Sequence, residues 1–163
     1  MPFPFFSRRA AAAQPAVLPP PPPHDPDLLA TLQKEHMALL ALLQQVRQAA
    51  KEGRYVDVSA DLLRFELAYG SHQKRKERQL LPYIEHYVQL EQGKTTLRNL
   101  SGSGTLTDRS VQGFLRHYQA YPVSGLNLKR FGRELDGVIA ELKHRLDTES
   151  VSLHSLYQPA HLY

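Results

Sequence analysis

Between Leu62 and Tyr87 one set of residues recurs at steps of three and four: Leu62, Phe65, Tyr69, His72, Lys76, Leu80, Tyr83 and Tyr87. That spacing marks one face of a helix built to be covered. Two members are not apolar. A histidine and, one turn later, a lysine stand on a face that otherwise enters a core. Buried polar and charged groups are costly unless partnered. The rest of the chain must therefore supply partners for His72 and Lys76, or Lys76 must run its stem outward to water.

With this one, four stretches carry a helical period. The first opens at Asp25-Pro26, an N-cap followed by the residue best tolerated at the first helical position, and runs to about Lys51. Its stripe is Leu28, Leu29, Leu32, His36, Leu39, Leu40, Leu43 and Val46. The second, from about Asp57 to Gln89, holds the seam above, with Pro82 placed to bend it or end its regular part. Residues Glu91 to Thr105, including Ser101-Gly102-Ser103-Gly104, read as a loop. The third helix is short, about Thr107 to Tyr121, with Val111, Phe114, Leu115 and Tyr118 inward. The fourth runs from about Asn127 to Tyr157, with Phe131, Leu135, Val138, Leu142, Arg145 or Leu146, Glu149, Leu153 and Leu156 on its seam. No strand-like alternation of useful length is present. The expected fold is all-α, an up-down-up-down four-helix bundle.

Nine of the twelve prolines precede Leu28, and Pro19 to Pro23 are consecutive. That composition favours an extended polyproline segment, so residues 1–26 read as a flexible proline-rich arm. Residues 27–157 read as the bundle and 158–163 as a short tail. Roughly 135 residues suffice for a core. The absence of cysteine removes disulfides, thiolate-held metals and thiol catalysis. The N-terminal residues place arginines after the apolar ones, against the order of a secretory signal. No run reaches the ~18 apolar residues of a spanning helix. The expectation is a soluble, cytoplasmic protein with no membrane span. A net charge of +4 with scattered basic residues shows no stripe or reading element for nucleic acid.

The pair formed by Glu35-His36-Met37-Ala38-Leu39-Leu40 and His72-Gln73-Lys74-Arg75-Lys76-Glu77-Arg78-Gln79-Leu80-Leu81-Pro82 resembles the first two helices of the hemerythrin-like (HHE cation-binding) family. The resemblance covers Leu62 to Pro82 best and implies a four-helix bundle of two similar halves. Each half of such a bundle offers a His on one helix and a His-x-x-x-Glu on the next, around two iron ions. Residues at i and i+4 stand one above the other on a helix face, which lets an imidazole and a carboxylate reach one metal. Four residues after His72, where the family places a bridging carboxylate, this chain has Lys76.

The fourth helix offers two alignments. One puts His144 in the ligand position and Thr148 in the carboxylate position. However, His144 lies about 200° from Leu142 at 100° per residue, on the polar face. Alignment by the seam puts Arg145 in the imidazole position and Glu149 in the carboxylate position. The resemblance then leaves His36, His72 and Glu149 as former ligand positions, with no clear ligand from the third helix. Two fixed cations in the same layer oppose a metal. The expectation is a polar core layer of Lys76, Arg145, Glu149, His36 and His72 in place of the metal, Lys76 facing Glu149 across the bundle. No cofactor is expected, with iron as the alternative. Without the resemblance, His36 would read as a satisfied core histidine. His24 reads as solvent-exposed, and Tyr69 is near enough to His72 to hydrogen-bond in the layer.

No nucleophile–base pair and no phosphate-cradling glycine loop occurs, so no catalytic residue is named and an enzyme is not expected. The reading is a regulatory or protein-interaction module whose partner is another, unidentified protein, with the proline-rich arm as a docking segment. One alternative is a metal-binding member of the family that senses oxygen, nitric oxide or redox state through non-haem iron, recruiting further ligands from Asp108, Glu35, Glu77 or His144. A second is a sigma-factor regulator, because the stretch from His72 to Leu80 is similar to one in the Rsd/AlgQ family of bacterial four-helix bundles.

Overall fold

The computed structural model of the chain describes residues 20–88, 91–159 and 162. The expectations for residues 1–19 and for a helix end at Gln89 lie outside the described residues. Among the described residues the protein is all-helical, without a strand. Helix α1 spans Leu28–Lys51 and α2 spans Tyr55–Arg75. A π-helical turn over Lys76–Leu80 joins α2 to α3, Leu81–Tyr87, so the three form one long leg. Helix α4 spans Glu91–Ala120 and α5 spans Leu128–Leu156. Helix α1 packs on α2 and α5, and α4 packs on α5 and α2. No helix among the described residues is long and apolar enough to cross a membrane.

The turn between α1 and α2 explains itself locally. Gly53 sits at φ +71°, a backbone state only glycine enters freely. It donates to Ala50 O, and Arg54 donates to Ala49 O. These are the two bonds of a Schellman ending, which satisfy the last carbonyls of the helix and reverse the chain within three residues. At the other end α1 begins at Leu28, two residues later than the Asp25-Pro26 pattern implies. Asp25 uses its carboxylate to accept from Asp27 N at 2.9 Å, a local turn that delays the helix.

Pro82 acts at a distance from its own position. Lacking an N–H, and with its ring against the preceding turn, it cannot continue a regular ladder. The π turn immediately before it absorbs the mismatch, and Leu81 N bonds back to Lys76 O. The seam then resumes with Leu80, Tyr83 and Ile84 buried.

The largest correction concerns α4. The stretch from Glu91 to Thr105, read from composition as a loop, is helical and continuous with the segment that follows. Its buried seam is Gly93, Leu97, Leu100, Gly104, Thr107, Val111, Phe114 and Tyr118, in steps of four and three, with Leu115 buried beside it. Serine and threonine are tolerated here because their hydroxyls bond back along the helix. Thr96 donates to Gln92 O, Ser103 to Leu100 O and Thr105 to Ser101 O.

Two apolar clusters fill the interior. The larger runs from Leu39, Leu43 and Val46 through Phe65, Tyr69, Leu115 and Phe131 to Leu146. The smaller gathers Leu28, Leu32, Leu80, Tyr83, Ile84, Leu97, Leu100, Leu153 and Tyr157. On every leg the break between them falls at the same level: His36 on α1, His72 and Lys76 on the second leg, Gly104 and Thr107 on α4, Arg145 and Glu149 on α5.

Candidate functional site

At that level a charged network crosses the core. Lys76 Nζ donates to Glu149 Oε2 at 2.5 Å, and both side chains are more than nine-tenths buried. Arg145 Nε donates to the other oxygen, Glu149 Oε1, at 2.8 Å. The Arg145 Nη1 then reaches Asp108 Oδ1 at 2.6 Å, Tyr69 Oη at 3.1 Å and the Gly104 carbonyl at 3.2 Å. Tyr69 donates to Asp108, and Gln73 Nε2 donates to both the Asp108 carboxylate and the Tyr69 hydroxyl. Lys76 therefore does not run outward to water, and Lys76 and Glu149 face each other across the bundle.

Gly104 is what admits the arginine. A Cβ built there would stand 2.9 Å from Arg145 Nη2 and 3.4 Å from Cζ. A guanidinium held by two carboxylates has nowhere to retreat, so the backbone of α4 must come close without a side chain.

On the α1 side the layer is different in kind. His72 is buried, and its Nδ1 lies 2.9 Å from Glu35 Oε2. Arg75 Nε donates to the other oxygen, Glu35 Oε1, at 2.8 Å. The His36 and His72 rings are stacked, with centroids 5.5 Å apart and an interplanar angle of 23°. His36 Nε2 is buried and has no hydrogen-bond partner among the described residues. It borders a cavity of about 30 Å3, with His72, Lys76 and Glu149 on its wall, roughly the room a single water needs. A second space of about 190 Å3, lined by Gln73, Asp108 and Arg145, lies on the far side of the Lys76–Glu149 pair.

The charge states follow from these neighbours. Burial pushes the Glu149 carboxyl upward, but Lys76 and Arg145 outweigh it and hold it below the ordinary carboxylate range. Asp108 is likewise held low: burial works against its charge, and the bonds from Tyr69, Arg145 and Gln73 prevail. Burial lowers the Lys76 ammonium, with Arg145 adding to the effect and Glu149 opposing it. The Arg145 guanidinium, penalised by burial, is nonetheless raised by Glu149 and Asp108. His36 is lowered from 6.5 to about 4, first by burial and then by the charges of His72 and Lys76. His72 is also lowered by burial, against the pull of Glu35. With both imidazoles pushed below 6.5 they are uncharged at neutral pH, and the Lys76 and Arg145 side chains meet the two carboxylates Glu149 and Asp108.

This donor set does not fit a metal ion. Both oxygens of Glu149 are occupied by cations, His72 Nδ1 is engaged by Glu35, and Asp108 accepts from three donors. Among the described residues no three His, Asp or Glu side chains converge as ligands. His36 contributes its stacked ring. His144 is exposed on α5, as the seam alignment requires. Of the residues the sequence reading passed over, Gly104 and Gln73 matter most. The step of four and three through Leu97, Leu100, Gly104, Thr107 and Val111 was the signal that placed Gly104 inward.

His24 departs from expectation. Instead of projecting into solvent it is half-buried, stacked on Tyr157 at 4.7 Å and tilted against Tyr83 at 5.5 Å. Asp25 N donates to Tyr157 Oη at 2.9 Å, and that hydroxyl donates to Asp25 O at 3.2 Å. The end of the arm is therefore docked where α3 and the end of α5 offer an aromatic shelf. Comparisons with protein-family models, with curated proteins and with solved structures return no match.

Proposed function

We propose that the chain is an up-down-up-down four-helix bundle of hemerythrin type whose metal layer is replaced by an ion-pair network, and that it works non-enzymatically as a protein-interaction module. The observation that carries the reading is the position of the charges. The lysine and arginine that break the family's ligand pattern are the two groups that saturate the surviving carboxylate, Glu149, from opposite sides. A network of this kind fixes the relative level of the legs, because sliding one helix by a turn would strand a buried charge. A bundle held this way keeps its outer helix faces free for recognition.

One observation favours the alternative of a metal-binding protein that senses oxygen, nitric oxide or redox state through non-haem iron: His36 lines the cavity, and its Nε2 has no hydrogen-bond partner among the described residues. The two readings separate on protein purified from iron-replete cells. The proposed reading expects colourless protein with far less than one iron per chain. About two irons per chain with an oxo-bridged absorption band would establish the alternative and end the first.

A further inference from the structure

On one side the polar layer opens into a cleft, the space of about 190 Å3 between α4, the second leg and α5. Its floor is charged: Lys76 and Arg145, each side chain more than nine-tenths buried, hold the two oxygens of Glu149. Leu81, Leu100 and Leu153 give it an apolar wall, and Glu77, Ser101 and Thr105 stand exposed at its mouth. The network leaves one interior donor without work. Arg145 commits Nε to Glu149, and Nη1 to Asp108, Tyr69 and the Gly104 carbonyl. Its Nη2 makes no hydrogen bond among the described residues, and it is not sealed from water-sized space. It stands 2.9 Å from where a Cβ of Gly104 would be. The glycine that admits the guanidinium thus also leaves Nη2 bare on the cleft wall. A guanidinium N–H in a confined site is costly until it finds an acceptor.

We infer that this cleft binds a small uncharged molecule whose carbonyl accepts from Arg145 Nη2, of the class of primary amides carried on a compact apolar body. Charge decides the class. The cleft is lined by two cations, Lys76 and Arg145, and by three carboxylates, Glu149, Asp108 and the exposed Glu77. A carboxylate ligand would add a fourth anion to a set already net negative. A cationic head finds no free acceptor on the floor, because both Glu149 oxygens are taken, and there its N–H groups would point at those of Arg145. A neutral carbonyl meets neither objection. An N–H beside that carbonyl has an acceptor as well: Asp108 takes its three bonds on Oδ1, and its Oδ2 has none among the described residues. The body of the ligand would lie on the three leucines. A cavity of about 150 Å3 holds benzene, so this one has room for a ring with a small head. Cavities with an apolar wall and a few convergent polar groups are the usual form of small-molecule sites.

The inference goes beyond the protein-interaction reading and does not depend on a protein partner. Benzamide, benzoate and benzamidine share one shape and differ in the charge of the head, so together they test the class. In nuclear magnetic resonance titrations of the full chain, benzamide should shift the Gly104 amide and the Arg145 side-chain signals. Its dissociation constant should be about 1 mM, the range open to a ligand of about nine heavy atoms. Benzoate and benzamidine should bind at least about tenfold more weakly. Ser101→Phe, a change at an exposed position on the mouth, should keep the helical circular dichroism and remove the benzamide shifts. Benzoate or benzamidine binding as tightly as benzamide, shifts that fall elsewhere, or undiminished binding to Ser101→Phe would each overturn the proposal. So would the absence of shifts at about 20 mM benzamide, which would leave the cleft to water; that result is read on the wild-type chain and needs no variant to fold.

Discussion

The two sides of the polar layer are built from similar groups and reach different ends. Where α2, α4 and α5 meet, Lys76, Arg145, Glu149, Asp108, Tyr69 and Gln73 bond to one another, with Gly104 giving way. Where α1 meets α2, Glu35 joins the buried His72 to the more exposed Arg75, and His36 holds its ring against His72 with its Nε2 unpartnered among the described residues. The first side is saturated by charge and the second is held by burial of neutral rings. The contrast teaches that one polar layer can be satisfied in two ways. The carboxylate side is matched by cations, because an unpaired buried carboxylate is among the most costly groups in a core. The imidazole side needs no such match, since a neutral histidine costs far less.

If that contrast is right, the largest effect should come from Glu149. Glu149→Leu strands two buried cations and should cost about 3–5 kcal/mol in urea unfolding, whereas the pair Lys76→Met with Glu149→Leu should recover much of that loss. A double-variant loss equal to the sum of the Lys76→Met and Glu149→Leu losses would mean the two charges are not coupled. Gly104 comes next. In an exposed helix interior Gly→Ala stabilises by about 0.5–1 kcal/mol, and Gly102→Ala, with nothing within 4 Å, should do so. Gly104→Ala should destabilise by about 1–3 kcal/mol instead, by pressing on Arg145. Thermal melts of the two variants moving in the same direction would remove the close approach from the account.

The histidine side is probed by pH. His36 keeps its neutral form in the fold down to about pH 4, while in the unfolded chain it takes up a proton from about pH 6.5 downward. The unfolded state binds more protons in that window, so stability should fall as pH drops from 6.5 to 4 and be flat just above it. His72 pulls in the same direction, and below this the protonation of Glu149 and Asp108, both held low in the fold, adds a further loss. His36→Phe should flatten the upper part of the curve measured by urea midpoint; an unchanged slope would place the acid sensitivity elsewhere. The smallest effect belongs to the layer's rim. Arg75 is 39% exposed, and Arg75→Ala should cost about 0–1 kcal/mol, reduced further by salt.

Much of this was legible in the sequence. The family resemblance set Lys76 opposite Glu149 and His36 in one layer with His72, and the seam rule moved the fourth-helix position from His144 to Arg145. What it missed has a physical cause. In α4 the seam positions Gly93, Gly104 and Thr107 are not apolar, and Ser101 to Gly104 has the composition of a loop. A search for hydrophobic period therefore lost the helix just where close packing had removed its side chains. The docking of His24 was invisible for another reason: it depends on Tyr83 and Tyr157, which are brought together only by the packed legs.

The central claim, that charge now does in this layer what a metal does in the family it resembles, is tested most directly by unfolding temperature. Melts of the wild-type chain in chelator and in excess Fe(II) or Zn(II) should superimpose. An ion that bound the folded layer at a hundred times its dissociation constant would add about 2.7 kcal/mol. A metal-dependent rise of that order, abolished by His36→Ala or His72→Ala, would contradict the account.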